Sequence, residues 1–206
     1  HNQQWPAPRG PFCFLGGVNG ILPGMHIIRR AAFTTVPWKN GGGITHEVAK
    51  VEVNGHLLWR LSLAEVASDG PFSLFAGLAR ILTVIDGPGM DLLSAGGEVA
   101  HAVPPLRPVA FSGDEPLFGK LRDGPCLDFN LIYDPQQLRA AAEVISGAIV
   151  IEQSTDAMRE GLLCLAGSVR CGEHTLGRHD FAFVGAGDAV EVLPGSQALV
   201  VTLMPV

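Results

Sequence analysis

The stretch Trp38-Lys39-Asn40-Gly41-Gly42-Gly43, continuing into Ile44-Thr45-His46-Glu47, sets an indole, an ammonium and an amide before three glycines. A hydroxyl, an imidazole and a carboxylate follow them. Glycine lacks a Cβ and reaches positive φ without strain, so such a run turns sharply and lets backbone approach a ligand closely. The pattern reads as a binding loop; a tight turn with solvated polar residues is the plain alternative.

Strand alternation sorts the other candidates. In Leu58-Trp59-Arg60-Leu61-Ser62-Leu63-Ala64-Glu65 a period of two puts Arg60, Ser62 and Ala64 on one face, with Trp59, Leu61 and Leu63 opposite. A guanidinium beside small residues leaves the space that a pocket wall needs. Asp128 and Asn130 likewise share a face of Leu127–Ile132, and Arg80 opens a strand directly after a Gly-rich loop. Convergence of Arg60, Arg80, Asn40, Asn130, Ser62 and Asp128 would suit a small carboxylate, because the arginine fork binds one bidentately. Asp128 could orient an arginine or receive a ligand N–H. A structural ion pair between Asp128 and Arg60 or Arg80 is the competing reading.

Other chemistries find less support. The histidines His26, His46, His56, His101, His174 and His179, with His1 in the N-terminal extension, form no His-x-His pair, so no metal site and no cofactor are expected. His174 and His179, with Glu173, flank a loop where only a surface site is conceivable. No Gly-x-Ser-x-Gly elbow occurs, and no catalytic residue is assigned. His46 and Glu47 are the acid–base candidates of an alternative, enzymatic reading. Their adjacency on a strand sends them to opposite faces, which argues against joint chelation. Lys39, on an open glycine loop, is poorly placed for Schiff-base chemistry. No phosphate-cradling glycine motif links a strand to a helix, so nucleotide binding has no warrant.

Composition narrows the partners. The 206 residues are 47% hydrophobic and 17% charged, with 26 Gly, 15 Pro and a net charge of −6. The acidic balance speaks against nucleic acid and anionic membranes, and no apolar run is long enough to span a bilayer. Cys13, Cys126, Cys164 and Cys171 contain no Cys-x-x-Cys spacing and read as free thiols, consistent with a cytoplasmic protein. Residues 1–24, rich in Gly, Pro and Gln ahead of Met25, read as an expression remnant or disordered extension.

The remainder shows short strand-like runs between turn signals, and therefore an all-β fold. Gln136–Glu143 is the exception, with side chains that favour a short helix. A weak repeat is visible. Leu82–Gly89 leads to Phe111-Ser112-Gly113-Asp114, and Leu163–Val169 leads similarly to Val184-Gly185-Ala186-Gly187-Asp188. Duplicated jelly-roll barrels, a double-stranded β-helix in each half, would give this pattern; an ordinary β-sandwich is the runner-up. The expected halves are 25–144 and 145–206, with the helix between them.

Trp38-Lys39-Asn40-Gly41-Gly42-Gly43 followed by Thr45-x-Glu47 resembles the opening motif of the HutD/Ves family. Four later segments extend the match in order: Trp59–Ala64, Asp69–Arg80, Phe111–Pro116 and Gly124–Leu131. At His46 the resemblance leads to an arginine instead, so an anion contact from that position does not carry over. The resemblance implies a bicupin, a role in controlling histidine utilisation, and an acidic ligand such as urocanate or formylglutamate. The residues suggest the rest. Arg60 and Arg80 would neutralise carboxylate, and Asn40, Ser62 and Asn130 would orient the ligand beside Asp128. Trp38 would pack on it while Lys39, Gly41 and Gly42 form a gating loop. A homodimer is compatible with this reading. The rivals are a metal-independent isomerase or hydrolase and a protein-interaction module with a filled barrel.

Overall fold

In a computed structural model the described residues are 24–38, 41–151, 159–185 and 187–206. They form nineteen strands and one turn of 3-10 helix at Arg30–Ala32. The strands are β1 His26–Ile28, β2 Thr34–Pro37, β3 Gly43–Val53, β4 His56–Val66, β5 Gly70–Pro71, β6 Ala79–Asp86 and β7 Met90–Leu93. Next come β8 Val99–Val103, β9 Val109–Ser112, β10 Phe118–Leu121, β11 Cys126–Tyr133 and β12 Leu138–Ser146. The last are β13 Ile149–Ile151, β14 Arg159–Ala166, β15 Val169–Cys171, β16 His174–Leu176, β17 Phe181–Val184, β18 Val190–Val192 and β19 Gln197–Pro205. No helix among the described residues is long and apolar enough to cross a membrane.

The chain divides into two compact units. One comprises Phe33–Lys50 and Trp59–Gln136; the other comprises the residues up to Ala32, Val51–Leu58 and Gln137–Val206. The first has a six-stranded sheet, β2-β3-β4-β11-β6-β9, and a four-stranded sheet, β5-β10-β7-β8. The second has β1-β17-β14-β19-β12 and β13-β18-β15-β16. Each unit is therefore built from two antiparallel sheets, and each has a core of alternating inward residues. Leu82, Val84, Met90, Leu92 and Val103 fill one; Leu162, Cys164, Val169, Leu176 and Val192 fill the other.

The weak sequence repeat is a strict topological one. Strand β6 pairs with β11 and β9, and β7 with β10 and β8. In the same order β14 pairs with β19 and β17, and β15 with β18 and β16. Even the irregularity recurs: the register slips at Leu127/Asp128 against β6 and at Cys164/Ala166 against β19. A bulge at the same point in both halves is a feature of the design.

The expected helix over Gln136–Glu143 is absent, and β12 takes its place. Nine cross-strand pairs, from Leu138↔Pro205 to Ser146↔Gln197, bind this segment to β19. Its burial alternates, with Arg139, Ala141 and Glu143 exposed and Leu138, Ala140 and Ala142 turned inward. Alanine accepts either conformation at small cost, so ladder pairing overrides local helix propensity.

Candidate functional site

The unit of 33–50 and 59–136 contains a cavity of about 560 Å³. Strands β4, β6 and β11 make its floor, and their register fixes three transverse rows. Arg60, Ile132 and Arg80 form one row; Ser62, Asn130 and Leu82 the next; Ala64, Asp128 and Val84 the third. Successive rows lie about 7 Å apart, two residues along a strand. Charge comes first, then amide and hydroxyl, then a carboxyl beside the apolar core of Ala64, Leu82 and Val84. The wall is Val36, Pro37, Trp38 and Thr45 on one side and Pro71, Phe72, Ser73 and Phe75 on another.

Arg80 is only 4% exposed. Its guanidinium carbon lies 5.1 Å from the Phe72 ring centre, 5.2 Å from Phe75 and 5.1 Å from Phe111. Three aromatic faces thus replace part of its hydration by cation–π attraction. Its Nη1 donates to the Ser73 carbonyl at 3.2 Å, while its Nε finds no hydrogen-bond partner among the described residues. Burial draws its pKa down to about 10, opposed by Asp128 and reinforced by Arg60.

Arg60 is handled differently: its Nε lies 3.0 Å from Glu47 Oε2, each side chain 24% exposed. That contact joins the charges without the alignment of a hydrogen bond, so among the described residues this Nε too has no hydrogen-bond partner. Asp128 is 1% exposed and Asn130 8%, and Oδ1 of each lacks a hydrogen-bond partner among the described residues. Burial raises the Asp128 carboxyl to about 7, against the pull of Arg80. An orphaned buried acceptor costs free energy, so two lining one cavity need an explanation.

Six of the ten residues expected from sequence line this cavity: Trp38, Arg60, Ser62, Arg80, Asp128 and Asn130. Lys39 and Asn40 lie outside the described residues. Gly41 and Gly42 shape the turn and are not among the lining residues: Gly41 has φ +72° and its N–H donates to the Trp38 carbonyl at 3.1 Å. Ala67 N–H donates to the Gly42 carbonyl at 3.0 Å. Trp38 N–H donates to the Gly43 carbonyl at 2.9 Å, and its indole Nε1 donates to Thr45 Oγ1 at 2.8 Å. A Cβ on Gly43 would run into the Glu65 carbonyl and sit 3.0 Å from the Trp38 ring. The absence of a side chain at Gly43 therefore leaves room for the indole beside the backbone.

His46 does not face the cavity. It is 6% exposed, with Nδ1 2.9 Å from Thr35 Oγ1 and Nε2 2.8 Å from Glu65 Oε1. Both ring nitrogens are engaged on the side of the sheet opposite Thr45 and Arg60. Glu47, its neighbour, turns to Arg60. Among the described residues no three His, Cys, Asp or Glu side chains converge as a metal site requires.

Sequence reasoning missed the aromatic box. Phe72 and Phe75 stand in the Asp69–Arg80 segment, three residues apart and just before Arg80, and a paired aromatic so near an arginine was the available signal. Phe111 is set by the ladder, opposite Arg80 on β9.

The second unit supplies an internal control. By the shared topology Glu160 stands where Arg80 does, Thr202 where Ile132 does, Val200 where Asn130 does, and Ala198 where Asp128 does. The fold thus fills the positions of Asn130 and Asp128 with Val200 and Ala198 in the other unit, while Glu160, 7% exposed, keeps a buried charge at the position of Arg80. Asn130 and Asp128 therefore have apolar counterparts in the other unit.

Known proteins share the family and the fold. The HutD family model matches residues 30–200. An uncharacterised 21.2 kDa protein from the hutC 3′ region of Pseudomonas putida is 41% identical over 60% of this chain and 65% of its own length. Protein Ves of Cronobacter sakazakii is 35% identical over 52% of the chain and 59% of its own length. These alignments thus span less than two thirds of either relative. A structure of HutD from Pseudomonas fluorescens SBW25, solved in a formate condition, superposes with a TM-score of 0.77 at 34% identity, covering 88% of this chain and 99% of that one. A nickel-bound bacterial pirin from Escherichia coli shares the fold alone, at 9% identity, with a TM-score of 0.64 over 88% of this chain and all of the other. With its all-β duplicated jelly-roll architecture and a match over most of its length, the chain belongs to the HutD family.

Proposed function

We propose that the chain binds a small anionic metabolite in the cavity of the unit of 33–50 and 59–136, with no metal taking part, and thereby helps control histidine utilisation. Urocanate and formylglutamate-like acids are the ligands this reading favours. The observation that carries it is Arg80: a guanidinium 4% exposed, lining a cavity, boxed by three phenyl rings. Among the described residues it has no carboxylate within ion-pair distance. A buried cation so placed is stabilised by an incoming carboxylate that aligns with its fork. Arg60, on the same row, adds a second positive charge that Glu47 holds in place. The location of the Pseudomonas putida relative beside hutC supports the link to histidine catabolism.

Thermal shift across a panel of small carboxylates, including urocanate and formylglutamate, with and without EDTA, tests this reading. An EDTA-insensitive rise is expected, about 2.7 kcal/mol of stabilisation at a hundredfold excess over Kd. Absence of any shift, or one that EDTA abolishes, overturns it.

A further inference from the structure

The cavity is polar at both ends, and the two ends differ in sign. Arg60 and Arg80 present donors on the first row, whereas Asn130 and Asp128 present acceptors on the second and third. A simple anion would satisfy the arginines and leave Asn130 Oδ1 and Asp128 Oδ1 as they are, buried without partners. We infer that the ligand is two-ended: a carboxylate held by Arg60 and Arg80, and beyond it an N–H or O–H donor received by Asp128 and Asn130. This rests on the anion-binding reading above and adds to it a second recognition element with its own residues.

Three observations carry the inference. Asp128 and Asn130 line the cavity while 1% and 8% exposed, so water alone solvates them poorly. Their orphaned atoms are an amide oxygen and, once the carboxyl is ionised, a carboxylate oxygen, both acceptors that a donor on the occupant would satisfy. The topological counterparts Ala198 and Val200 show that the fold does not require polar side chains there. A site built around such acceptors also excludes: an acid of the same shape lacking the donor enters only by leaving them unpaired.

An isosteric pair isolates the donor. In 4-acetamidobutanoate an amide N–H stands where 4-acetoxybutanoate has an ester oxygen, with carboxylate, length and shape conserved. Calorimetric titration of the full chain at pH 8, where the Asp128 carboxyl is ionised, should show the amide binding at least tenfold more tightly than the ester. Asp128→Ala and Asn130→Val install the residues that the other unit already folds with, so loss of structure is not expected. In Asp128→Ala, or in Asn130→Val if the amide is the principal acceptor, the preference should fall to within twofold while the ester still binds. Equal binding of the two probes to the wild-type chain overturns the inference and leaves anion binding intact. A preference that survives in both variants places the acceptor elsewhere and also overturns it. Failure of both probes to bind removes the anion reading and the inference with it.

Discussion

Arg60 and Arg80 stand on either side of Ile132, one on each strand flanking β11, so that two like charges share a transverse row of one sheet. The chain copes with this in two ways. Arg60 is partly exposed and meets Glu47; Arg80 is buried and meets aromatic faces and a carbonyl oxygen. Arg60 therefore already has an anion, while Arg80 has polarisable neighbours and room for one.

This division makes the two arginines unequal in binding. Arg60→Ala should weaken a small carboxylate about tenfold, because a second cation remains. Arg80→Lys should weaken it more, since a point ammonium loses both the fork and the flat face that three phenyl rings cover. Kd measured by titration for both variants checks the order. If Arg60→Ala left affinity within threefold, the paired clamp would be wrong.

Glu47 competes with any ligand for Arg60. Glu47→Gln keeps the shape and removes the negative charge, so anion affinity should rise severalfold at low salt, with the gain shrinking as ionic strength screens it. The enzymatic alternative expects something else: turnover of a bound acid, lost in the same variant while binding persists. Titration at two salt concentrations, with product analysis of the bound metabolite, separates the outcomes.

Asp128 makes stability depend on pH in a stated direction. Its carboxyl is held at about 7 by burial, well above the ordinary value of 3.8, with Arg80 opposing the shift. Between those values the folded chain keeps a proton that the unfolded chain has lost, so this group's contribution to stability falls as pH rises. Asp128→Asn cannot ionise. Its advantage over wild type should therefore grow from pH 5 to pH 7 and level off above, reduced by the countercharge that Arg80 loses. Denaturation midpoints of both proteins across pH 5–8, without ligand, give the answer; a pH-independent difference would mean an ordinary carboxylate.

Much of this site was legible in the chain because strand alternation is a strong signal. Arg60 and Ser62, and Asp128 and Asn130, could be assigned to one face from their spacing, and the ladder confirms each pair. What spacing could not give was register. Nothing local says that Ile132 lies between the two arginines, or that Phe111 on β9 closes the box around Arg80. The helix expected over Gln136–Glu143 failed for the same reason: its partner β19 lies more than fifty residues away, and propensity is blind to that pairing. The repeat, faint in sequence, became strict only when bulges and pairings could be compared. Thr83 illustrates the remaining limit. Its buried hydroxyl has no partner among the described residues, and alternation with Leu82 and Val84 places it away from the cavity.

The last prediction concerns the loop that carries the aromatic box. Phe72 N–H donates to the Leu117 carbonyl at 2.9 Å and Phe75 N–H to the Gly113 carbonyl at 2.8 Å, while Gly113 N–H donates to the Leu78 carbonyl at 2.7 Å. Gly113 is thus the point at which this loop docks. A Cβ there would lie 2.5 Å from the Phe75 carbonyl and 2.7 Å from that of Leu78, both backbone atoms that cannot swing aside. Gly113→Ala should push the loop off its seat and destabilise the fold by about 1–3 kcal/mol. For a chain of this size that is a Tm loss of roughly 3–10 °C. Displacing Phe75 also opens the cage around Arg80, so affinity for small carboxylates should drop together with Tm. Gly70→Ala is the matched control: it lies on the neighbouring strand β5, with nothing within 4 Å of the added carbon. It should leave both measurements nearly unchanged. If Gly113→Ala lowered Tm while binding stayed at the wild-type value, the phenyl box would be packing alone and would have no part in holding Arg80 ready for an anion.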